Sequence, residues 1–178
     1  MGGPPQPPPP VIPVASVTEA KASFDASNER LEATVDRVSA ISAEEQDRRI
    51  NDEWSAVESI RHIVFVIDIW LSKTIRGQTD PFHPIGIPPH FVPRKLPGSS
   101  IDPDTTPSFD EARDALRDRL ATLRGFLDGL VPDELTRPID AHAKTVGGAL
   151  NVIFTELNAH NRFINRDLDI IEAERRGT

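Results

Sequence analysis

The residues of this chain best suited to chemistry near neutral pH are its five histidines, His62, His83, His90, His142 and His160. Glu156 and His160 are four residues apart, so in a helix they stand one above the other on a single face. Ile153, Leu157 and Ile164 share that face, which points the pair toward a core. A carboxylate and an imidazole projecting into apolar surroundings need partners, and a divalent metal satisfies both. His62, one residue before the apolar run Ile63 to Leu71, can add a third ligand from a neighbouring helix. A His, Glu, His set leaves one position open to water or substrate, the pattern of a catalytic rather than a structural zinc. A metal so exposed can activate water, stabilise a bound thiolate or polarise a carbonyl. The spacing alone fits a surface ion pair between Glu156 and His160 equally well.

Other polar residues carry weaker signals. Glu58 and His62 share the four-residue spacing, but Glu58 is three residues after Ser55 and reads as the carboxylate of a capping box. Asp68 interrupts the apolar run, and reads as an outward-facing residue or a partner for an arginine. His83 falls in a long loop, where it is either solvated or within reach of a site mouth. His90 and His142 have no suggestive spacing, and Trp54 and Trp70 read as core anchors. No nucleophile elbow, phosphate-binding loop or dinucleotide fingerprint is present. The chain has no Cys, which excludes disulfides, thiolate metal sites and a cysteine nucleophile.

The elements that must position these groups are bounded by proline. Seven of the 17 prolines lie in the first 13 residues and eight between Pro81 and Pro107. Proline lacks a backbone donor and fixes φ, so neither cluster can be a helix interior. Residues 1–15 are expected to form a disordered, polyproline-type head, alternatively a docking peptide, ahead of one domain over 16–178. Apolar periodicity predicts a first helix from Thr18, as its cap, to Ala40, with Ala22, Leu31, Val35 and Val38 inward. A second helix starts at the Ser55–Glu58 capping box and runs to Arg76 before Gly77. A third opens at Ser108 with Glu111 and carries Leu116, Leu120, Leu123 and Leu127, ending near Gly129. A fourth runs from Thr145 to Glu174 with Val146, Leu150, Ile153, Leu157, His160, Ile164, Leu168 and Ile171 on one face. No stretch alternates with period two, so the expected fold is an all-α four-helix bundle. Its second and third helices are joined by a proline-rich loop of about 30 residues, a length usually tied to function or disorder.

Composition narrows the function classes. The 178 residues are 38% hydrophobic and 27% charged, enough for one sizeable core. The net charge of −8 argues against a nucleic-acid binder, which needs a basic face. No apolar stretch approaches the roughly 18 residues that cross a bilayer, and no secretory signal is apparent, so a cytoplasmic location is expected.

Two segments resemble a known family. EWSAVESIRHIVFVIDIW, residues 53–70, is similar to the second-helix signature of the DinB/YfiT-like metal-binding bundles: a Trp-Ser start with a ligand His eight residues after the Trp, as in Trp54 and His62. TELNAHNRFINRDLDIIEAE, residues 155–174, resembles the last helix of that superfamily, where many members carry two His four apart before an Arg. Here Glu156 stands in place of the first His. A Glu-x-x-x-His pair with a helix-two His resembles the mycothiol-dependent maleylpyruvate isomerase branch, and the proline-rich FHPIGIPP loop resembles that of actinobacterial DinB-like members. The resemblance implies His62, Glu156 and His160 as ligands of one divalent metal: zinc first, with nickel, iron or manganese as alternatives. It also implies mycothiol or a similar small thiol as cosubstrate, held as thiolate and attacking an electrophile in a transfer or isomerisation. That scheme needs no protein Cys. The alternatives are metal-assisted hydrolysis and a non-catalytic bundle that binds a small molecule or partner. Homodimerisation is a further expectation from the family. Arg162, after the ligand pair, is expected to orient a carboxylate or to pair with an Asp on a neighbouring helix. No general base is identifiable.

Overall fold

The computed structural model describes residues 11–177, and residues 1–10 of the proline-rich head lie outside the described residues. The described residues are mostly helical and contain no strand; one isolated bridge joins Pro138 and Thr145. The helices are α1 (Val17–Ser39), α2 (Ala43–Gln46), α3 (Ala56–Ile67), α4 (Phe109–Asp128), α5 (Pro132–Leu135) and α6 (Val146–Arg176). A π-helical segment, Asp68–Ile75, continues α3. The short α2 and α5 have no periodicity of their own and were not expected.

Caps set most of the helix starts. Ser55 and Glu58 form the expected capping box of α3, and Ser108 and Glu111 that of α4; in each, both side chains satisfy a free backbone amide. Thr145 caps α6 by accepting from the Gly148 N–H at 3.1 Å. The cap of α1 is Ser16 rather than Thr18: its hydroxyl accepts from the Glu19 N–H at 3.0 Å, while the Glu19 carboxylate accepts from the Ala15 N–H. Ala22, expected inward, is exposed, and Ala20, Phe24 and Leu31 fill the core face. Within the proline-rich head, Val14 is buried and its N–H donates to the Gly147 carbonyl at 3.0 Å.

The four leucines of α4 and the eight expected residues of α6 are all buried. Helix α6 packs against α1 and α3, and α4 packs against the same two helices. The shared core includes Leu31, Ile60, Ile63, Ile67, Leu116 and Leu150, all but inaccessible to solvent. Burying an aliphatic side chain of this size contributes about 1.5–3 kcal/mol, so this ring of helices is a stiff frame.

Residues 77–107 lie along α3. Phe82 stacks on Phe65 with ring centroids 5.5 Å apart, and Ile85, Ile87 and Ile101 are buried. Asp68 is not outward-facing. It is 1% exposed and accepts from Arg119 Nε at 2.5 Å and from the His83 N–H at 2.8 Å. Desolvation outweighs these partners and pushes its carboxyl up. Asp68 therefore pins the start of the long loop to α3 and α4 exactly where the helix widens into its π-helical turn.

Candidate metal centre

Helices α3 and α6 bring His62, Glu156 and His160 together. Each offers one ligand atom, and these atoms all lie within 4.8 Å of one another. The Glu156 Oε2 is 3.5 Å from His160 Nε2 and 3.8 Å from His62 Nε2. Both imidazoles are buried, whereas the Glu156 side chain is about one third open to solvent. His160 and then His62 hold the Glu156 carboxyl at about 2, against the opposing effect of its burial.

The loop fixes one candidate ligand. His62 Nδ1 donates to the Ile87 carbonyl at 2.8 Å, which puts the proton on Nδ1 and leaves the Nε2 lone pair facing Glu156. Two more bonds hold that loop segment against α3: Arg61 Nε donates to the Ile85 carbonyl at 2.7 Å, and the Ile87 N–H donates to the Arg61 carbonyl at 3.3 Å. Between them lies Gly86. A Cβ there would sit 3.2 Å from the His83 carbonyl oxygen and 3.5 Å from the Phe65 Cβ, so the approach is tight and a side chain larger than a methyl group would press on both. His160 has no equivalent partner; its Nδ1 is buried and unbonded, as is Trp54 Nε1. One carboxylate and two imidazole Nε2 atoms converge here, and once those nitrogens give up any proton they carry toward Glu156 the set fits a divalent transition metal.

Aromatic rings surround the cluster. Trp54 lies with its ring centroid 4.8 Å from that of His62, 4.2 Å from His90 and 5.9 Å from His160. His62 and Glu156 open onto a cavity of about 560 Å³. Its walls include Phe65, Val66, Trp70, Phe91 and Val152, with His142 edge-on to Trp70 at 4.9 Å.

The family model described as the DinB superfamily matches residues 23–164. The chain belongs to the DinB superfamily. No curated protein and no solved structure gives a significant match to it. DinB-superfamily proteins often bind metal, and the His62, Glu156, His160 group of this member could hold a divalent ion.

Other expected residues fall elsewhere. His83 lies beside Asp68 and Arg119, and burial pushes its imidazole down; it does not line the cavity at the cluster. Arg162 is exposed and makes no hydrogen bond or ion pair among the described residues, so the expected pairing with an Asp of a neighbouring helix is not formed. Trp54 and Trp70 are partly exposed walls of the cavity as well as packing residues. Sequence reasoning missed His90, His142, Phe91 and the Ile87 carbonyl. Three of these four sit on the long loop, where no periodicity marks a facing direction. The only available signal was Pro88–Pro89 immediately before His90, which restricts how the chain turns back toward Trp54.

Proposed function

We propose that this chain is a divalent-metal-dependent enzyme on a four-helix bundle of the DinB/YfiT type, using a small thiol of the mycothiol kind in a transfer or isomerisation. The observation that supports it is the convergence of His62, Glu156 and His160 at the wall of a cavity large enough for a small molecule. A bound metal, zinc by the donor set, would supply the Lewis acidity that keeps a thiol ionised near neutral pH. His62, with its tautomer set by Ile87, and Glu156, ionised at neutral pH, present their lone pairs without rearrangement. Trp54 and His90 cover the buried imidazoles, and Phe65 and Trp70 give the cavity beside them apolar walls. The chain itself has no thiol, so a thiol nucleophile has to come from a cosubstrate.

The test is metal content by elemental mass spectrometry on protein purified without chelator or histidine tag, beside His160→Ala. About one metal per chain in the wild type, lost in the variant, is expected. A screen of low-molecular-weight thiols against electrophiles then follows. No metal in either protein, even after zinc, nickel, iron or manganese is added, refutes the catalytic reading.

A further inference from the structure

Two cavities reach the ligand cluster, one on each side of the Trp54–His90 ring pair. The smaller, about 370 Å³, reaches His160 and carries the charged residues Asp52, Glu53 and Arg166. The larger, about 560 Å³, reaches His62 and Glu156, and no Lys or Arg lines it. The cation of the smaller cavity is already engaged: Arg166 is 2.5 Å from Glu53 and 2.8 Å from Asp167. Arg162, two residues beyond His160, has no partner but lines neither cavity. No uncommitted Lys or Arg among the described residues therefore faces the cluster from either side.

This arrangement selects against anions. A substrate carboxylate entering the larger cavity would give up its hydration among aromatic and aliphatic walls. It would also find no arginine fork there to receive it. The chain's net charge of −8 opposes the approach of anions as well. An apolar body loses nothing on entry and gains ring faces from Trp54, Phe65 and Trp70. His90 and His142 remain as the polar groups that can orient it.

We propose that the larger cavity binds the body of an uncharged, apolar substrate of about aromatic-ring size, with its reacting polar group toward His62 and Glu156. This deepens the proposed function, resting on it only for the identity of the reacting end. Both tryptophans of the chain, Trp54 and Trp70, line the cavity, so their fluorescence reports occupancy directly.

The experiment titrates full-length protein with two probes of equal size, neutral 4-phenylbutan-2-one and anionic 4-phenylbutanoate. It is run at pH 8, above the ordinary histidine range, on protein as purified and again after chelation. Saturable quenching by the ketone is expected in both states, with the carboxylate at least about tenfold weaker after chelation, where no metal can receive it. Val152→Phe, which narrows the cavity, should weaken the ketone by about tenfold or more, while Arg162→Ala leaves it unchanged. Metal content and circular dichroism of both variants show that the fold persists. Carboxylate binding equal to or tighter than ketone binding after chelation overturns the proposal. So does the absence of saturable ketone binding, or a Val152→Phe protein that folds and binds the ketone as the wild type does. A protein that holds no metal yet binds the ketone defeats the metal-enzyme reading and leaves the cavity's selectivity standing.

Discussion

Gly86→Val tests whether the loop sets the metal ligand. The substitution places a Cβ 3.2 Å from the His83 carbonyl oxygen and 3.5 Å from the Phe65 Cβ, and adds two methyl groups beyond it. Neither neighbour can yield cheaply. The His83 N–H is tied to Asp68, and Phe65 lies on a helix and stacks on Phe82. The loop must therefore lift from α3, which carries the Ile87 carbonyl away from His62 Nδ1. Losing a buried hydrogen bond of this kind costs about 1–3 kcal/mol where the donor is left unmatched. A ligand imidazole without its fixing partner loses metal affinity by about ten- to a hundredfold. The assay pairs urea unfolding of metal-free protein with chelator-competition titration of zinc. Nitrogen-15 chemical shifts of His62 add a direct reading of which ring nitrogen carries the proton. The expected result is a weaker metal site and a His62 ring no longer held in the Nδ1–H form. Wild-type zinc affinity together with an unchanged His62 tautomer in a folded Gly86→Val protein would refute the reasoning.

Three further outcomes follow from the structure. Asp68→Ala removes the acceptor of Arg119 Nε and of the His83 N–H, leaving Arg119 only its exposed pairing with Asp118, and should cost about 3 kcal/mol in urea unfolding. Asp68→Asn keeps one acceptor and removes a charge whose burial is unfavourable, so it should cost clearly less; equal losses would contradict the assignment. Glu156 has a carboxyl lowered to about 2 by His160 and His62, so its stabilising effect is fully present above the ordinary carboxylate range and is lost as pH falls through about 2. After discounting for the partly exposed side chain, metal-free wild type should exceed Glu156→Gln by about 1 kcal/mol at pH 5, with the gap closing toward pH 2. A gap independent of pH would show the carboxylate acts otherwise. A Cβ at Gly148 would overlap the Ala143 carbonyl, so Gly148→Ala should lower stability by about 2 kcal/mol or more, whereas Gly125→Ala, with open space around it, should not. Thermal melts of the two variants distinguish them.

The sequence by itself determined what depends on near neighbours. A serine three residues before a glutamate caps a helix wherever it stands, so Ser55 with Glu58 and Ser108 with Glu111 were readable directly. The buried faces of α4 and α6 follow from the 3.6-residue period, and Glu156 and His160 share a face for the same reason. The Trp54–His62 spacing and the last-helix pattern carried the DinB resemblance, and with it the membership that the family match shows over residues 23–164. Even local rules left a choice at α1, where Ser16 and Thr18 are both capable caps. Ser16 prevails because Glu19 closes back on the Ala15 N–H from that register.

Tertiary structure alone decided what arises between distant segments. Periodicity gives the face of a residue but not the partner opposite, so Asp68 read as outward until Arg119, 51 residues away, arrived to pair with it. The loop over residues 77–107 has no period to read, yet it supplies the carbonyl that fixes His62, the glycine at its tight approach to α3 and the histidine whose ring lies against Trp54. Whether Glu156 and His160 were a surface pair or part of a site also lay beyond the chain order. That turned on the packing of α3 against α6, which sets His62 beside them and leaves Glu156 open to the cavity. Hydrogen bonds and ion pairs act over a few ångströms of space, and only the folded chain brings residues so far apart in sequence within that reach.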